Sequence, residues 1–147
     1  MDIKAFKMDG LGNDFVIIDN RQTITNLTKE QIIKICDRKF IGCDQLILIK
    51  KNDISDASLE FYNSDGGMSG ACGNGTRCIA DLLGKENDKN NNEFSGGTAV
   101  NVGNPHIIFF VDNNKNFEIE KIGPKIETHS LFPVSYTHLT LPTILRV

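Results

Sequence analysis

Apolar and polar residues recur with two different periods along this chain, and each change of period marks an element. Ile3 to Met8 reads as a strand, the turn-forming run Asp9-Gly10-Leu11-Gly12-Asn13-Asp14 interrupts it, and Phe15 to Ile18 resumes as a second strand. The pair predicts a hairpin with a wide loop. Thr28 followed by Gln31 is a capping-box pattern, and Ile32, Ile33, Ile35, Cys36 and Phe40 share one helical face, so a helix is predicted from Thr28 to Lys39 with Cys36 in the core. Strands are predicted at Gln45 to Ile49 and Ser58 to Tyr62, separated by the polar turn at 51–56. After a loop at 63–71, Ile79, Ala80, Leu82 and Leu83 give Gly73 to Leu83 helical spacing, so the order through Leu83 is β-β-α-β-β-loop-α.

From Gly84 to Glu93 the chain is polar and of low complexity, which predicts a linker or exposed loop. Thr98 to Val102 and Ile107 to Val111 read as strands around Gly103-Asn104-Pro105-His106, and Phe117 to Ile122 reads as another. After Pro133 no acidic residue occurs, and the Asn, Asp and Lys that dominate earlier disappear. Residues 134–147 therefore read as a foreign tail.

Length and charge narrow the class. The chain has 147 residues, with 39% hydrophobic and 24% charged, and 16 Lys+Arg against 19 Asp+Glu. That is enough for one domain or two small lobes, slightly acidic overall. No basic stripe with interleaved aromatics points to nucleic acid. No run approaches the ~20 apolar residues of a membrane span, and Met1-Asp2-Ile3-Lys4 opens without an apolar leader, so the expected location is the cytoplasm. The four cysteines then read as reduced thiols, and no Cys or His spacing suits a metal.

Chemistry concentrates at Cys72-Gly73-Asn74-Gly75-Thr76-Arg77-Cys78, where a thiol stands at the start of a predicted helix. Free N–H groups and the positive end of the helix dipole there stabilise an anion and lower a thiol pKa from about 8.5. Gly73 and Gly75, without Cβ atoms, would let a ligand carboxylate approach the backbone. The bland alternative is a buried structural thiol, because one Cys-Gly-x-Gly is a weak pattern. Cys78 lies six residues on, ~9 Å of rise and ~600° of rotation, so it faces elsewhere and reads as core. Cys43 defaults to burial too.

Together with other blocks this stretch resembles diaminopimelate epimerase, a cofactor-independent amino-acid epimerase. The blocks are Met8 to Phe15, Gly42 with Asp44-Gln45-Leu46, Phe61-Tyr62-Asn63 with Asp65-Gly66, Cys72 to Gly75 with Arg77-Cys78, Gly103 to His106, Gly123-Pro124 and Leu131 to Pro133. The resemblance implies an α/β (α+β) fold of two pseudo-symmetric lobes, each a mixed sheet curled around a central helix. It implies Cys72 as one of two catalytic thiols on opposite faces of the substrate α-carbon, and Gly73 and Asn74 as the carboxylate cradle. Asn13, Gln45, Asn63 and Asn104 would contact the substrate; as bare residue types, the asparagines could equally be turn residues and Gln45 a strand-edge partner. Inversion needs acid and base on opposite faces, with pKa values near the working pH.

The expected partner is a small-molecule amino acid, with no nucleic acid, membrane, metal or cofactor, and with room for a homodimer in the full-length family member. The implied division is an incomplete N-terminal lobe at 1–94, the start of a second lobe at 95–133 and the tail at 134–147. The family's chain is about twice as long, and its second Cys-Gly-x-Gly and several first-lobe strands have no counterpart here. The sequence thus reads as the N-terminal part of such an epimerase, truncated and open to an internal deletion. The alternative is an inactive fragment that at most binds an amino-acid carboxylate.

Overall fold

The computed structural model describes residues 3–87, 97–103, 105–110, 119–128 and 139–140. The elements are β1 (Ala5–Gly10), β2 (Asn13–Asp19), α1 (Lys29–Cys36), β3 (Gln45–Lys50), β4 (Ala57–Asn63), β5 (Met68–Ser69), α2 (Gly73–Asn87), β6 (Gly97–Asn101), β7 (Pro105–Phe109), α3 (Ile119–Glu127) and β8 (Leu139–Thr140). The strands form one mixed sheet in the order β1-β2-β3-β4-β6-β7-β8, with β5 paired to β4. It curls as a half-barrel against α2, as expected for an α+β fold.

The sheet follows from side-chain alternation across a strand. Phe15 and Ile17 of β2, Ile47 and Ile49 of β3, and Ala57, Leu59 and Phe61 of β4 turn inward onto Cys78, Ile79, Ala80 and Leu83 of α2. The intervening Val16, Ile18, Leu46 and Leu48 turn outward onto Ile32 and Cys36 of α1, with Cys43. Strands β2 and β3 are apolar on both faces because a helix covers each side. They pair in parallel, as do β4 and β6, and each parallel step is bridged by a helical crossover, α1 on one face and α2 on the other.

Several sequence expectations change. The β1–β2 loop is not wide: Gly10 pairs with Asn13 across the two residues Leu11 and Gly12, with φ of 57° and 86°. Positive φ at both central positions matches the right-handed twist of the hairpin. The α1 capping box is present, but the helix ends at Cys36, and Ile33 and Phe40 are exposed rather than on the core face. Ile32 and Cys36, one turn apart, face the core, which turns Ile33 away from it, and Phe40 lies beyond the helix end. Gly84 to Asn87 continues α2 instead of starting a linker, helped by a Lys85–Asp81 pair at 2.7 Å, while 88–93 lie outside the described residues. Residues 119–122 are helical, where a strand was expected. Ile119, Ile122 and Ile126 recur at a helical period, and Ile126 is buried.

The stretch assigned to a second lobe hydrogen-bonds into this same sheet. Val100 and Asn101 of β6 pair with Ala57 and Ser58, and Val100 and Ile108 join the cluster on α2. Of the tail, Leu139 and Thr140 pair with Ile107 and Ile108; the remainder lies outside the described residues.

Candidate functional site

Strand directions bring the candidate residues to one end of the sheet. Asn13 begins β2, Gln45 begins the parallel β3, and Asn63 ends the antiparallel β4 directly opposite Gln45. Cys72 immediately precedes α2, whose first turn reaches the same end: a Cβ on Gly10, at the end of β1, would lie 3.1 Å from the Asn74 carbonyl oxygen. The Thr76 N–H donates to the Cys72 carbonyl at 2.8 Å, which closes the first helical turn and makes Cys72 the N-cap. The N–H groups of Gly73, Asn74 and Gly75 precede that first bond, and the turn carries no acidic residue.

The side chains are held in pairs. The Asn74 Nδ2 donates to Asn13 Oδ1 at 3.3 Å, and the Arg77 Nη1 donates to Asn74 Oδ1 at 2.9 Å. The Gln45 Nε2 donates to Asn63 Oδ1 at 3.0 Å and to Ser69 Oγ at 3.2 Å. Gln45 Oε1 is buried and has no partner among the described residues. An unmatched buried acceptor costs about 1–3 kcal/mol, so it is a place where a donor from a ligand is favoured. Asn104 lies outside the described residues; β6, which leads toward it, runs parallel to β4 and so leaves the sheet in the direction of Asn63. A cavity of about 490 Å³ opens elsewhere, over Leu48, Glu60 and Tyr62 on the outward face, and none of these candidate residues lines it.

The two glycines of the motif do different work. A Cβ on Gly73 would meet nothing within 4 Å, so its backbone is open to a ligand. A Cβ on Gly75 would sit 2.8 Å from both Ile47 Cδ1 and Phe61 Cε1. Gly75 therefore lets α2 lie close on the sheet, and the expectation that it serves ligand approach is replaced by a packing role.

Sequence reading missed what stands behind Asn13 and Gln45. The Asp14 carboxylate accepts from Lys7 Nζ at 2.7 Å and from Arg38 at 2.5 and 2.8 Å, and Arg38 also reaches Asp44 at 2.6 Å. The Asp14 and Asp44 side chains each accept the other's backbone N–H, and Lys7 also donates to the Gly42 carbonyl. Asp14 and Asp44 neighbour the site residues in sequence, but Arg38 carries no sequence signal, since only the fold brings it 24 residues back to Asp14. Ser69 was missed likewise, inside a stretch read as loop.

The Arg38 guanidinium beside Asp14 holds its carboxyl well below the usual carboxylate range, against the opposing effect of burial. A depressed folded-state pKa contributes stability above the unfolded value, about 3.9, that is lost as pH falls through the folded one. Arg38→Gln is therefore expected to lower stability at pH 7, with the gap to the unaltered chain closing as pH falls below about 4. Urea denaturation from pH 7 to pH 2 checks this; a gap independent of pH would contradict it.

The thiols divide as well. Cys36, Cys43 and Cys78 are buried, while Cys72 is only half-buried. Burial pushes the Cys36 thiol up to about 12, with the Cys43 hydrogen bond adding to it, and pushes Cys78 up to about 11. Iodoacetamide is thus expected to modify Cys72 at least about tenfold faster than the other three in the folded chain, because it needs an accessible thiolate. Peptide mapping of a time course measures this, and equal labelling of all four would count against an ordered site.

The mixed sheet curled as a half-barrel against a central helix defines a class of fold. Similar structures are the Bacillus anthracis phenazine biosynthesis protein of the PhzF family (TM-score 0.54, 19% identity, 78% of this chain and 38% of that one) and methylitaconate-delta-isomerase (TM-score 0.52, 14% identity, 73% and 57%). Within that class, the family model for diaminopimelate epimerase matches residues 5–99. The diaminopimelate epimerase of Pelagibacter ubique is 52% identical over 187 positions, covering 90% of this chain and 68% of that protein. That of Sphingopyxis alaskensis is 37% identical, covering 86% and 64%. The chain belongs to the diaminopimelate epimerase family, a family of isomerases, and it spans about two thirds of these relatives' length. Since 90% of 147 residues is about 132, some 55 of the 187 positions stand opposite gaps in this chain. In that relative, this length lies between stretches that the chain matches. No helix among the described residues is long and apolar enough to cross a membrane.

Proposed function

We propose that this polypeptide carries one half of a diaminopimelate epimerase site, acting on LL- or meso-2,6-diaminopimelate by acid–base chemistry without a cofactor. In the family such a site would serve lysine and peptidoglycan precursor synthesis in the cytoplasm. The substrate α-carboxylate lies on the free N–H groups of Gly73 and Asn74, where the helix dipole favours an anion. Asn13, Gln45, Asn63 and, from the β6–β7 turn, Asn104 hold the remaining polar groups. The observation that carries the reading is the convergence of Asn13, Gln45, Asn63 and Asn74 at one end of the sheet around an N-cap thiol. Gln45 Oε1 adds a buried acceptor suited to a substrate ammonium.

Cys72 as thiolate takes the α-proton and, as thiol, returns it to the same face. Inversion needs a second acid on the opposite face, and the other cysteines do not supply one: Cys78 is in the inner core, and Cys36 and Cys43 lie beyond the sheet from α2. The chain is thus expected to exchange the α-hydrogen of bound substrate with solvent without epimerising it. Incubation with LL-diaminopimelate in D2O, followed by proton NMR and chiral chromatography, tests this. Deuterium at the α-carbon with retained LL configuration is expected. Conversion to the meso form would overturn the half-site reading, and neither binding nor exchange would overturn the site itself.

A further inference from the structure

We propose that Cys36 and Cys43 are an oxidisable dithiol, a modification site at which a low-molecular-weight disulfide converts the pair into a cross-link between the end of α1 and the residues leading into β3. The sulfurs are 3.3 Å apart, with the Cys43 thiol directed at Cys36 Sγ. The backbone is already fixed on both sides of the pair: the Cys43 N–H donates to the Cys36 carbonyl at 3.2 Å, and the Gly42 N–H to the Ile35 carbonyl at 3.0 Å. A disulfide needs about 2.05 Å between sulfurs, so the two approach by about 1.2 Å, within the reach of small side-chain rotations. The other two thiols offer no competing partner here. Cys72, at the N-cap of α2, and Cys78, within it, lie on the opposite face of the sheet.

Both sulfurs are buried, and access comes through the segment between them. Asp37 to Ile41 are exposed, and Phe40 and Ile41 retain 60% and 50% of their surface. Reaction therefore proceeds through local opening of this segment, the end of an eight-residue helix and its exposed loop. In the opened state one cysteine thiolate attacks a sulfur of the small disulfide, forming a protein mixed disulfide and releasing one small thiolate. The second cysteine, as thiolate, attacks the protein sulfur of that mixed disulfide; the Cys36–Cys43 bond forms and the second small thiolate leaves. The two protons lost by the cysteines end on the two released thiols. Two cysteine thiols are oxidised and one small disulfide is reduced.

The segment closed by the bond carries Arg38, which joins Asp14 and Asp44 behind Asn13 and Gln45. The oxidation state of the pair therefore bears on the end of the sheet where the site residues gather, although the modification does not rest on what that site binds.

The test is peptide mass mapping of the whole chain after incubation with oxidised glutathione, with and without urea below the unfolding transition. The expected product is a linked Cys36–Cys43 species lighter by two hydrogens, about 2 Da, and at least about tenfold more abundant than any other pairing, while Cys72 carries glutathione. Its formation accelerates in the mild urea, which opens the loop. In Cys36→Ser, Cys43 is expected to accumulate a glutathione adduct that the unaltered chain resolves. In denaturing guanidinium the same oxidant gives mixed pairings. Two results would overturn the proposal: Cys36 and Cys43 still separately alkylated once Cys72 is fully glutathionylated in mild urea, or a native pairing pattern no different from that in guanidinium.

Discussion

Cys72→Ala is expected to reduce solvent exchange of the substrate α-hydrogen by at least about 100-fold, the lower end of what a positioned general base contributes. Folding should change little, because Cys72 is half-buried and packs against the inner cluster only from its margin. Binding should survive, since the proposed carboxylate donors are backbone N–H groups of Gly73 and Asn74, which the substitution leaves in place. Cys72→Ser sharpens the result: a hydroxyl of similar size occupies the same position, but its far higher pKa leaves no useful base near neutral pH. Exchange is followed by proton NMR in D2O, and binding by ligand line broadening. Undiminished exchange in Cys72→Ala would remove this thiol from the chemistry. Loss of binding together with exchange would assign it to holding the substrate.

The second large effect is expected in the core beneath the site. Phe61→Ala should lower stability by about 3–5 kcal/mol, as lost burial and a residual cavity combine. Phe61 is 2% exposed, and its ring closes on the inner cluster between sheet and α2. A loss of that size is a large fraction of the stability of an ordinary domain, about 5–15 kcal/mol. The same ring explains Gly75. Alone, Gly75→Ala forces a Cβ to within 2.8 Å of Phe61 Cε1 and Ile47 Cδ1. It should cost about 1–3 kcal/mol by overpacking, partly offset by up to about 1 kcal/mol of helix propensity. In the Phe61→Ala background much of that clash is gone, so Gly75→Ala should be near neutral or stabilising. A double-mutant cycle in urea measures the coupling, and strict additivity would show that Gly75 is not held by this contact.

Much of this was legible in the sequence, for identifiable reasons. Strand β2 is a run of β-branched and aromatic residues, β3 alternates leucine with isoleucine, and α1 carries its start signal in Thr28 and Gln31; these patterns are local, and the structure keeps them. The N-cap position of Cys72 was readable because Gly73 to Leu83 has unbroken helical spacing. Where local patterns compete, the reading failed. Glu118-Ile119-Glu120 alternates like a strand over too few residues to outweigh the helical spacing of Ile119, Ile122 and Ile126. Asp9 to Asp14 contains five turn-prone residues around Leu11, which hid the fact that only Leu11 and Gly12 turn.

By itself, the sequence determined the family, the order of the elements through α2 apart from the short β5, and the thiol at the start of that helix, because each depends on residues adjacent along the chain. Only the tertiary structure decided which glycine of the motif faces open space and which faces Phe61, since that depends on the side of α2 turned to the sheet. It alone paired Gln45 with Asn63 and Ser69, because antiparallel register, not spacing, sets them opposite each other. It brought Arg38 to Asp14 and Asp44, and Cys36 to Cys43, through the turn of chain between α1 and β3. It also placed β6 and β7 on β4 and α2. Hydrogen bonding at an open strand edge and apolar contacts with a helix depend on what else is near in space, which no local pattern records.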